Sequence, residues 1–240
     1  MIFAAVLSFF STLIGGLVSL KFRDKFHIIL GFAAGVLLGV VAFDLLPEIM
    51  ELVQKTGLNP RQPMIALVAG FLLFHIAEQA AKIHHVRHQD GGADGRDPHI
   101  GALSATALTA HSFMDGVGIG LGFQVSKSVG IAVAVAVIAH DFCDGLNTAS
   151  LMLVNRNTTR RTMLFVLLDA AAPLFGALST LLFAVPQRFL TLYLGFFAGF
   201  LLCIGASDIL PEAYEQKLSY KPMVMAVLGA VFTYFVTQFA

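Results

Sequence analysis

Charge is scarce in this chain. Asp, Glu, Lys and Arg together make up 12% of the 240 residues, whereas 57% are hydrophobic. A soluble domain of this size cannot bury so much apolar surface, so the composition predicts a protein that crosses a lipid bilayer several times. The formal net charge of zero gives no sign of a nucleic-acid partner. The two cysteines, Cys143 and Cys203, both fall in apolar runs, so no disulfide is indicated.

Strand-like alternation of polar and apolar residues is also absent, so a transmembrane barrel is not indicated. Apolar runs of about 20 residues, the length that a bilayer requires, predict an all-α fold with eight transmembrane helices. The connections are short, which indicates a single membrane domain over residues 1–240. The predicted spans are 2–20, 27–50, 63–84, 100–123, 127–153, 160–183, 188–213 and 221–239.

Basic residues are confined to the connections and the span ends. The odd-numbered connections and their borders hold 11 of the 15 Lys and Arg residues, and the others hold 4. Since cytoplasmic connections are enriched in Lys and Arg, both termini are expected outside. We expect the bilayer to be a bacterial inner membrane.

Two segments repeat. Residues 30–48 and 194–212 are identical at 12 of 19 positions and share the ending Asp-x-Leu-Pro-Glu. They fall in predicted spans two and seven, which cross the membrane in opposite directions, and inverted repeats of this kind are typical of transporters. The alternative is convergence between two Gly-, Ala- and Leu-rich helices.

The repeats end in acids that could form the two mouths of one pathway. A mid-helix proline removes the donor for the carbonyl four residues before it. Pro47 and Pro211 therefore predict free carbonyls at Phe43 and Ser207, beside the acids. Alternatively, the acids cap helix ends among the lipid headgroups. These acids are Asp44 and Glu48 at the outer end and Asp208 and Glu212 at the inner end.

Two similar motifs lie inside apolar runs: His-Ser-Phe-Met-Asp-Gly at 111–116 and His-Asp-Phe-Cys-Asp-Gly at 140–145. A carboxylate in mid-membrane costs about 2.5–3.5 kcal/mol on insertion scales. Acids and imidazoles without nearby bases therefore indicate a cation that arrives from solution. A single His-x-x-x-Asp pair is more often structural, but two pairs in neighbouring antiparallel spans favour a metal site.

Helical geometry places a carboxylate between two other ligands in each motif. Asp115 lies between His111 and Ser112 on the helical wheel, and Asp144 lies between His140 and Asp141. This layout allows each carboxylate to bridge two cations. In span six, Asp169 adds another intramembrane acid, which could instead bond a neighbouring helix.

Asp115, Asp141, Asp144 and Asp169 carry four negative charges when ionised. Two divalent ions would balance these charges, as would one ion with protons, so metal entry is expected to expel protons. Mixed imidazole and carboxylate ligands suit Zn(II), Mn(II) or Fe(II), with Cd(II) as a further candidate, and disfavour Cu(I). These metals are expected as cargo, and no cofactor is implied.

A segment between spans three and four, 84–99, is rich in histidine and is expected as a cytoplasmic loop. It could capture metal or serve as a soluble linker. Its histidines are His84, His85, His88 and His99.

Three function classes fit these features. The first is a carrier of divalent transition metals, with zinc first, towards the cytoplasm. The second is an intramembrane zinc hydrolase, although His-Glu-x-x-His is absent and the acids form a trail across the predicted bundle. The third is a cation channel or a proton-coupled exchanger. The first is preferred, and the chain is not expected to be an enzyme.

At these motifs the chain resembles the ZIP (ZRT/IRT-like) metal-ion transporters. The resemblance implies a three-two-three helix arrangement with inverted outer repeats, a homodimer, and an elevator-like motion of the metal-holding helices. It also implies a two-metal site. One metal would use His111, Asp115, His140 and Asp144; the second would use Ser112, Asp141 and Asp169 and share Asp115 and Asp144.

The chain departs from the family pattern at several of these positions. Ser112 replaces asparagine, Asp115 and Asp144 replace glutamates, and both motif prolines are absent. The usual acid of span six is shifted one turn earlier to Asp169, and Ser207 stands where a histidine is common. These changes affect the strength of the second site and the choice of metal.

Overall fold

The computed structural model describes residues 1–20, 26–89, 98–215 and 220–239, and every regular element in these ranges is helical. The all-α prediction is therefore confirmed for the described residues. The helices are α1 (Ile2–Ser19), α2 (Phe26–Val40), α3 (Leu46–Thr56), α4 (Arg61–Gln89), α5 (Pro98–Val125), α6 (Lys127–Val154), α7 (Thr159–Ser179), α8 (Gln187–Cys203), α9 (Leu210–Glu215) and α10 (Tyr220–Phe239).

Five helical stretches among the described residues are long and apolar enough to cross a membrane. They are Ile2–Ser19, Leu30–Thr56, Lys127–Val154, Thr159–Leu182 and Gln187–Ser207. Arg61–Ala77 and Tyr220–Phe235 are apolar but shorter, and α5 is not among the five. The chain thus has several membrane-spanning candidates, while the count of eight spans stays a prediction.

The helix α4 extends beyond the predicted span. It continues to Gln89, so His84, His85 and His88 lie on its last turns and not in a loop. Residues 77–89 contain good helix formers and no Gly or Pro, which explains the extension. The side chains of these three histidines and residues 90–97 lie outside the described part, while His99 is exposed on the first turn of α5.

The two sequence repeats share a local distortion. A π-helical segment, Val41–Leu45, joins α2 to α3, and a second, Ile204–Ile209, joins α8 to α9. The N–H of Leu46 donates to the Val41 carbonyl, and that of Leu210 donates to the Gly205 carbonyl. Both π-segments therefore precede the Asp-x-Leu-Pro-Glu prolines at the same repeat position.

In both π-segments the main-chain bonding also changes one residue before the carbonyls that Pro47 and Pro211 predict to be free. In an α-helix the Ala42 carbonyl would accept from Leu46, whose N–H is already bonded to Val41, and the next nitrogen belongs to Pro47. Ala42 is left without its usual main-chain donor. The same holds for Ala206 before Pro211, and both alanines are exposed.

Glycines bring four pairs of helices into backbone contact. A Cβ at Gly15 of α1 would overlap the Phe142 carbonyl of α6, and a Cβ at Gly145 would overlap the Thr12 carbonyl in return. The pair α5 and α7 makes the same reciprocal contact through Gly116 and Gly176. The glycines of this second pair meet the carbonyls of Pro173 and Phe113, respectively.

Two further pairs repeat this pattern. Gly35 of α2 meets Ala226 of α10, and Gly229 meets Phe32 in return. The pair α4 and α8 is joined in the same way through Gly70 and Gly199, which meet the carbonyls of Phe196 and Leu67. The contacts of α1 with α6 thus match those of α7 with α5, and the contacts of α2 with α10 match those of α8 with α4. The buried apolar core lies where α2, α6 and α8 meet.

Candidate metal centre

The two motifs meet at the interface of α5 and α6. Only Ser126 separates these helices, and its side chain accepts a hydrogen bond from the Val129 N–H at the start of α6. In each helix a histidine and an aspartate four residues apart share one face. One ligand atom from each of four residues lies within 4.8 Å of the other three: His111, Asp115, His140 and Asp144. We call these four residues the central cluster.

Both histidines face both carboxylates of the central cluster. The Nε2 of His111 lies 3.3 Å from Oδ2 of Asp115 and 3.9 Å from Oδ2 of Asp144. The Nε2 of His140 lies 3.5 Å and 3.7 Å from the same two oxygens. The four residues therefore surround a common point.

The ring of His140 is oriented by its own helix. Its Nδ1 lies 2.9 Å from the Ala136 carbonyl, which can only accept, so Nδ1–H is the donor. In the neutral ring Nε2 then presents a lone pair to the carboxylates. A backbone carbonyl that holds the far nitrogen of a histidine is a common arrangement at metal sites.

The cluster is buried, and several of its acceptors have no hydrogen-bond partner among the described residues. Asp115 and His140 are fully buried, and Asp144 is 6% exposed. Several buried atoms here have no hydrogen-bond partner among the described residues: both Asp115 oxygens, Oδ2 of Asp144, Nε2 of His140 and Oδ1 of Asp141. Buried polar atoms are nearly always paired, so a group of unpaired acceptors indicates a missing positive charge.

Aromatic rings from α4 and α8 cover His111. The centroid of its ring lies 5.1 Å from that of Phe74 and 4.9 Å from that of Phe200. Tyr193 of α8 stacks on Phe197, whose ring packs on that of Phe200, and its buried hydroxyl has no hydrogen-bond partner among the described residues. These aromatic residues were not predicted from sequence, because nothing in an apolar helix distinguishes a ring over a metal site from a core residue.

The three remaining residues of the predicted site lie beside the central cluster. Ser112 donates to Oδ1 of Asp169 at 2.7 Å, and Thr148 donates to Oδ2 of Asp169 at 2.8 Å. Ser112, Thr148 and Asp169 form what we call the α7 flank. Both oxygens of Asp169 are therefore bonded to neighbouring helices, the alternative noted for a lone intramembrane acid.

Asp141 is bonded from a different outer helix, α1. Its Oδ2 accepts a hydrogen bond from Ser8 of α1, and its Oδ1 lies 3.9 Å from Nε2 of His140. Ser8 and Asp141 form what we call the α1 flank. Ser8 and Thr148 were not predicted as site residues, because serine and threonine are common in apolar helices. One signal was available for Thr148, which follows Asp144 by four residues and so shares its face.

The predicted pathway mouths are described only in part. Asp44 lies in the first π-segment, and its buried Oδ2 has no hydrogen-bond partner among the described residues. Glu48 is half-buried on the first turn of α3. The side chains of Asp208 and Glu212 lie outside the described part, so their place in the site stays a prediction.

Comparisons with known proteins agree with this geometry. The sequence model of the family described as "ZIP Zinc transporter" matches residues 84–237, more than half of the chain. The Arabidopsis thaliana protein named "Putative zinc transporter At3g08650" is 28% identical over 191 residues, 78% of this chain. The chain covers 29% of the length of that relative.

The matched region contains α5 to α9, and so includes all seven residues of the predicted metal site. The resemblance noted from the motifs is therefore confirmed. The family is one of membrane transporters and not of enzymes, so the expectation that the chain is not an enzyme is confirmed as well. The chain belongs to the ZIP zinc transporter family.

Proposed function

We propose that this chain carries divalent transition-metal ions, with zinc first, across a membrane, and that the central cluster holds the ion in transit. The observation that supports this most is the group of buried, unpaired acceptors shared by His111, Asp115, His140 and Asp144. The helices α5 and α6 contain no Lys or Arg except Lys127 at the first position of α6. A cation from solution is therefore the partner that these acids lack.

The spacing of the ligand atoms suits zinc. In a tetrahedral site with bonds of about 2.0–2.2 Å, neighbouring ligand atoms lie about 3.3–3.6 Å apart. The four imidazole–carboxylate distances of the central cluster range from 3.3 to 3.9 Å. All four ligand atoms lie within 4.8 Å of one another, so an inward movement would bring them onto one ion, and two carboxylates with two neutral imidazoles balance its charge.

A second ion position next to the central cluster is the finer part of the proposal. Ser112, Asp141 and Asp169 would line it, with Asp115 and Asp144 shared between both ions. Asp141 already points its free Oδ1 towards the centre. Asp169 would have to exchange a hydroxyl partner for the metal, which agrees with a weaker second site. Metal binding would expel protons from these clustered acids.

The pathway to these positions would run between the two pairs of acids. Asp44 and Glu48 would lie at the outer mouth, and Asp208 and Glu212 at the inner mouth. The matching glycine contacts support inverted repeats, in which α1, α5, α6 and α7 would move against α2, α4, α8 and α10. We propose that both termini lie outside a bacterial inner membrane and that metal is taken up towards the cytoplasm. We also propose that the chain forms a homodimer. His84, His85, His88 and His99 would capture metal beside the cytoplasmic mouth.

Flux in proteoliposomes tests the function. The purified chain is reconstituted with a zinc-sensitive dye or a pH dye inside the vesicles, and zinc or cadmium is added outside. We expect saturable metal uptake coupled to proton movement. Thr106→Ala is the matched control, because Thr106 is exposed on α5 and its hydroxyl bonds to the Ala102 carbonyl of its own helix.

The outcomes separate the rival functions. Currents that fail to saturate with metal favour a channel. Uptake without any proton movement refutes the proton linkage and leaves metal transport in place. Absence of metal flux in vesicles that contain folded, reconstituted protein contradicts the proposal as a whole.

A further inference from the structure

The first helix brings a polar side chain to an acid of the site. The helix α1 is one of the most apolar in the chain, with a mean hydropathy of 2.0 over its span. Ser8, on this helix, is nevertheless fully buried, and its hydroxyl donates to Oδ2 of Asp141. Asp141 thus has one oxygen held from α1, while its Oδ1 faces His140 and has no hydrogen-bond partner in the described part of the chain.

The α7 flank contains an equivalent contact between an acid and a hydroxyl, in which the two groups have exchanged helices. Ser8 and Gly15 are seven residues apart, as are Asp169 and Gly176. Gly15 meets Phe142 one residue after Asp141, and Gly176 meets Phe113 one residue after Ser112. By these contacts Ser8 occupies the place of Asp169, and Asp141 occupies the place of Ser112.

The two hydrogen bonds are therefore equivalent. On the α7 flank the outer helix supplies the acid and α5 supplies the hydroxyl, at 2.7 Å. On the α1 flank the outer helix supplies the hydroxyl and α6 supplies the acid. Each flank joins one acid to one hydroxyl beside the central cluster.

Simple packing does not require this pairing. Ser11 also joins α1 to α6, and its hydroxyl donates to the Ile138 carbonyl at 2.8 Å. Ser19 pairs with the Ser150 hydroxyl at 2.9 Å. A serine on α1 can thus hold the helix pair together through a carbonyl or a hydroxyl, whereas Ser8 bonds an acid that faces the metal centre.

We infer that Ser8 is a positioning residue of the second ion position, which is enclosed by four helices: α1, α5, α6 and α7. Its hydroxyl fixes Oδ2 of Asp141 so that Oδ1 is presented to a divalent cation. This inference rests on the proposed function, since it needs an ion beside the central cluster. It adds to the sites implied by family resemblance a residue from the first helix.

A calorimetric zinc titration of the full chain in nanodiscs tests the inference. The wild type is expected to bind a tight and a weak zinc ion per chain. Loss of a group that positions a metal ligand typically weakens binding 10–100-fold. Ser8→Ala should therefore weaken the second step about 10-fold and change the first step less than about 2-fold. Ser11→Ala is the matched control, because it removes the same atom from the same helix pair, and it should leave both steps unchanged.

An exchange of partners provides the second test. Asp141→Ser alone removes the acid of the α1 flank and should abolish the second binding step. Adding Ser8→Asp restores an acid and a hydroxyl across the same contact, in the arrangement of the α7 flank. The double variant should regain a measurable second step.

Each outcome decides a separate point. A Ser8→Ala isotherm that superimposes on that of Ser11→Ala overturns the inference, and so does a double variant that binds no better than Asp141→Ser. A wild type with a single zinc-binding step also overturns the inference about Ser8, but it leaves the assignment of the central cluster unchanged. A wild type that binds no zinc contradicts the proposed function itself.

Discussion

The α7 flank and the α1 flank have the same helix geometry and different hydrogen bonding. On the α7 flank, Asp169 accepts from Ser112 and Thr148, so both of its oxygens are occupied. On the α1 flank, Asp141 accepts from Ser8 and keeps Oδ1 free. The difference indicates that a buried acid can serve either as a link between helices or as a ready ligand, according to how many hydroxyls surround it.

The central cluster adjoins both flanks, so its loss should have the largest effect. Asp144→Ala removes a carboxylate that faces both His111 and His140. We expect zinc uptake to fall to the level of empty liposomes, measured with radiolabelled zinc. Wild-type rates from this variant, at equal protein per vesicle, refute the site assignment.

The two flank acids should differ when each loses its charge. Asp141→Asn takes away a free ligand and should weaken the second zinc step at least 10-fold, with little change in thermal stability. Asp169→Asn replaces one of two acceptor oxygens by an NH2 donor, so one of the two buried hydrogen bonds is mismatched; this should cost about 1–3 kcal/mol of stability, with a smaller effect on zinc. Zinc titration and thermal unfolding of both variants in nanodiscs check the comparison, and equal behaviour of the pair contradicts it.

Thr148 donates the second hydrogen bond to Asp169, whereas Oδ1 of Asp141 has no such donor among the described residues. Thr148→Val keeps the side-chain shape and frees Oδ2 of Asp169, which makes the α7 flank resemble the α1 flank. We expect a loss of stability of about 1–3 kcal/mol that is recovered when zinc is present. Thr106→Ala, an exposed threonine on α5, is the control. An equal loss of stability with and without zinc indicates that the freed oxygen does not meet the metal.

The smallest effect is expected from Ser112→Ala. The hydroxyl of Ser112 bonds Asp169 at 2.7 Å and is a weak metal donor, so its removal should leave at least part of the zinc uptake. Uptake as low as that of Asp144→Ala would show that the α7 flank is as necessary as the centre.

The sequence predicted the helices and the centre for different reasons. Long apolar runs predict the positions of helices because their length is set by the bilayer. The four residues that the structure brings together were predicted from spacing, because a His and an Asp four residues apart must share a helix face. The third span was predicted to end at residue 84, five residues before α4 ends at Gln89. The difference arises because hydropathy falls after residue 84 while helix propensity does not.

Contacts between distant helices could not be predicted in this way. Ser8 and Asp141 are 133 residues apart, and their meeting depends on the close approach that Gly15 and Gly145 allow. The π-segments were also missed. Pro47 and Pro211 predict a lost donor at Phe43 and Ser207, but the changed bonding at Ala42 and Ala206 depends on the backbone path of the whole turn.

We expect a metal ion from solution to pair with the buried acceptors of α5 and α6. The most direct measurement is equilibrium zinc binding to the chelator-stripped chain, with Asp115→Asn as the matched variant. Saturable binding of at least one zinc per chain, lost in the variant, is the expected result. Absence of saturable binding for zinc, cadmium, manganese and ferrous iron alike would contradict the account.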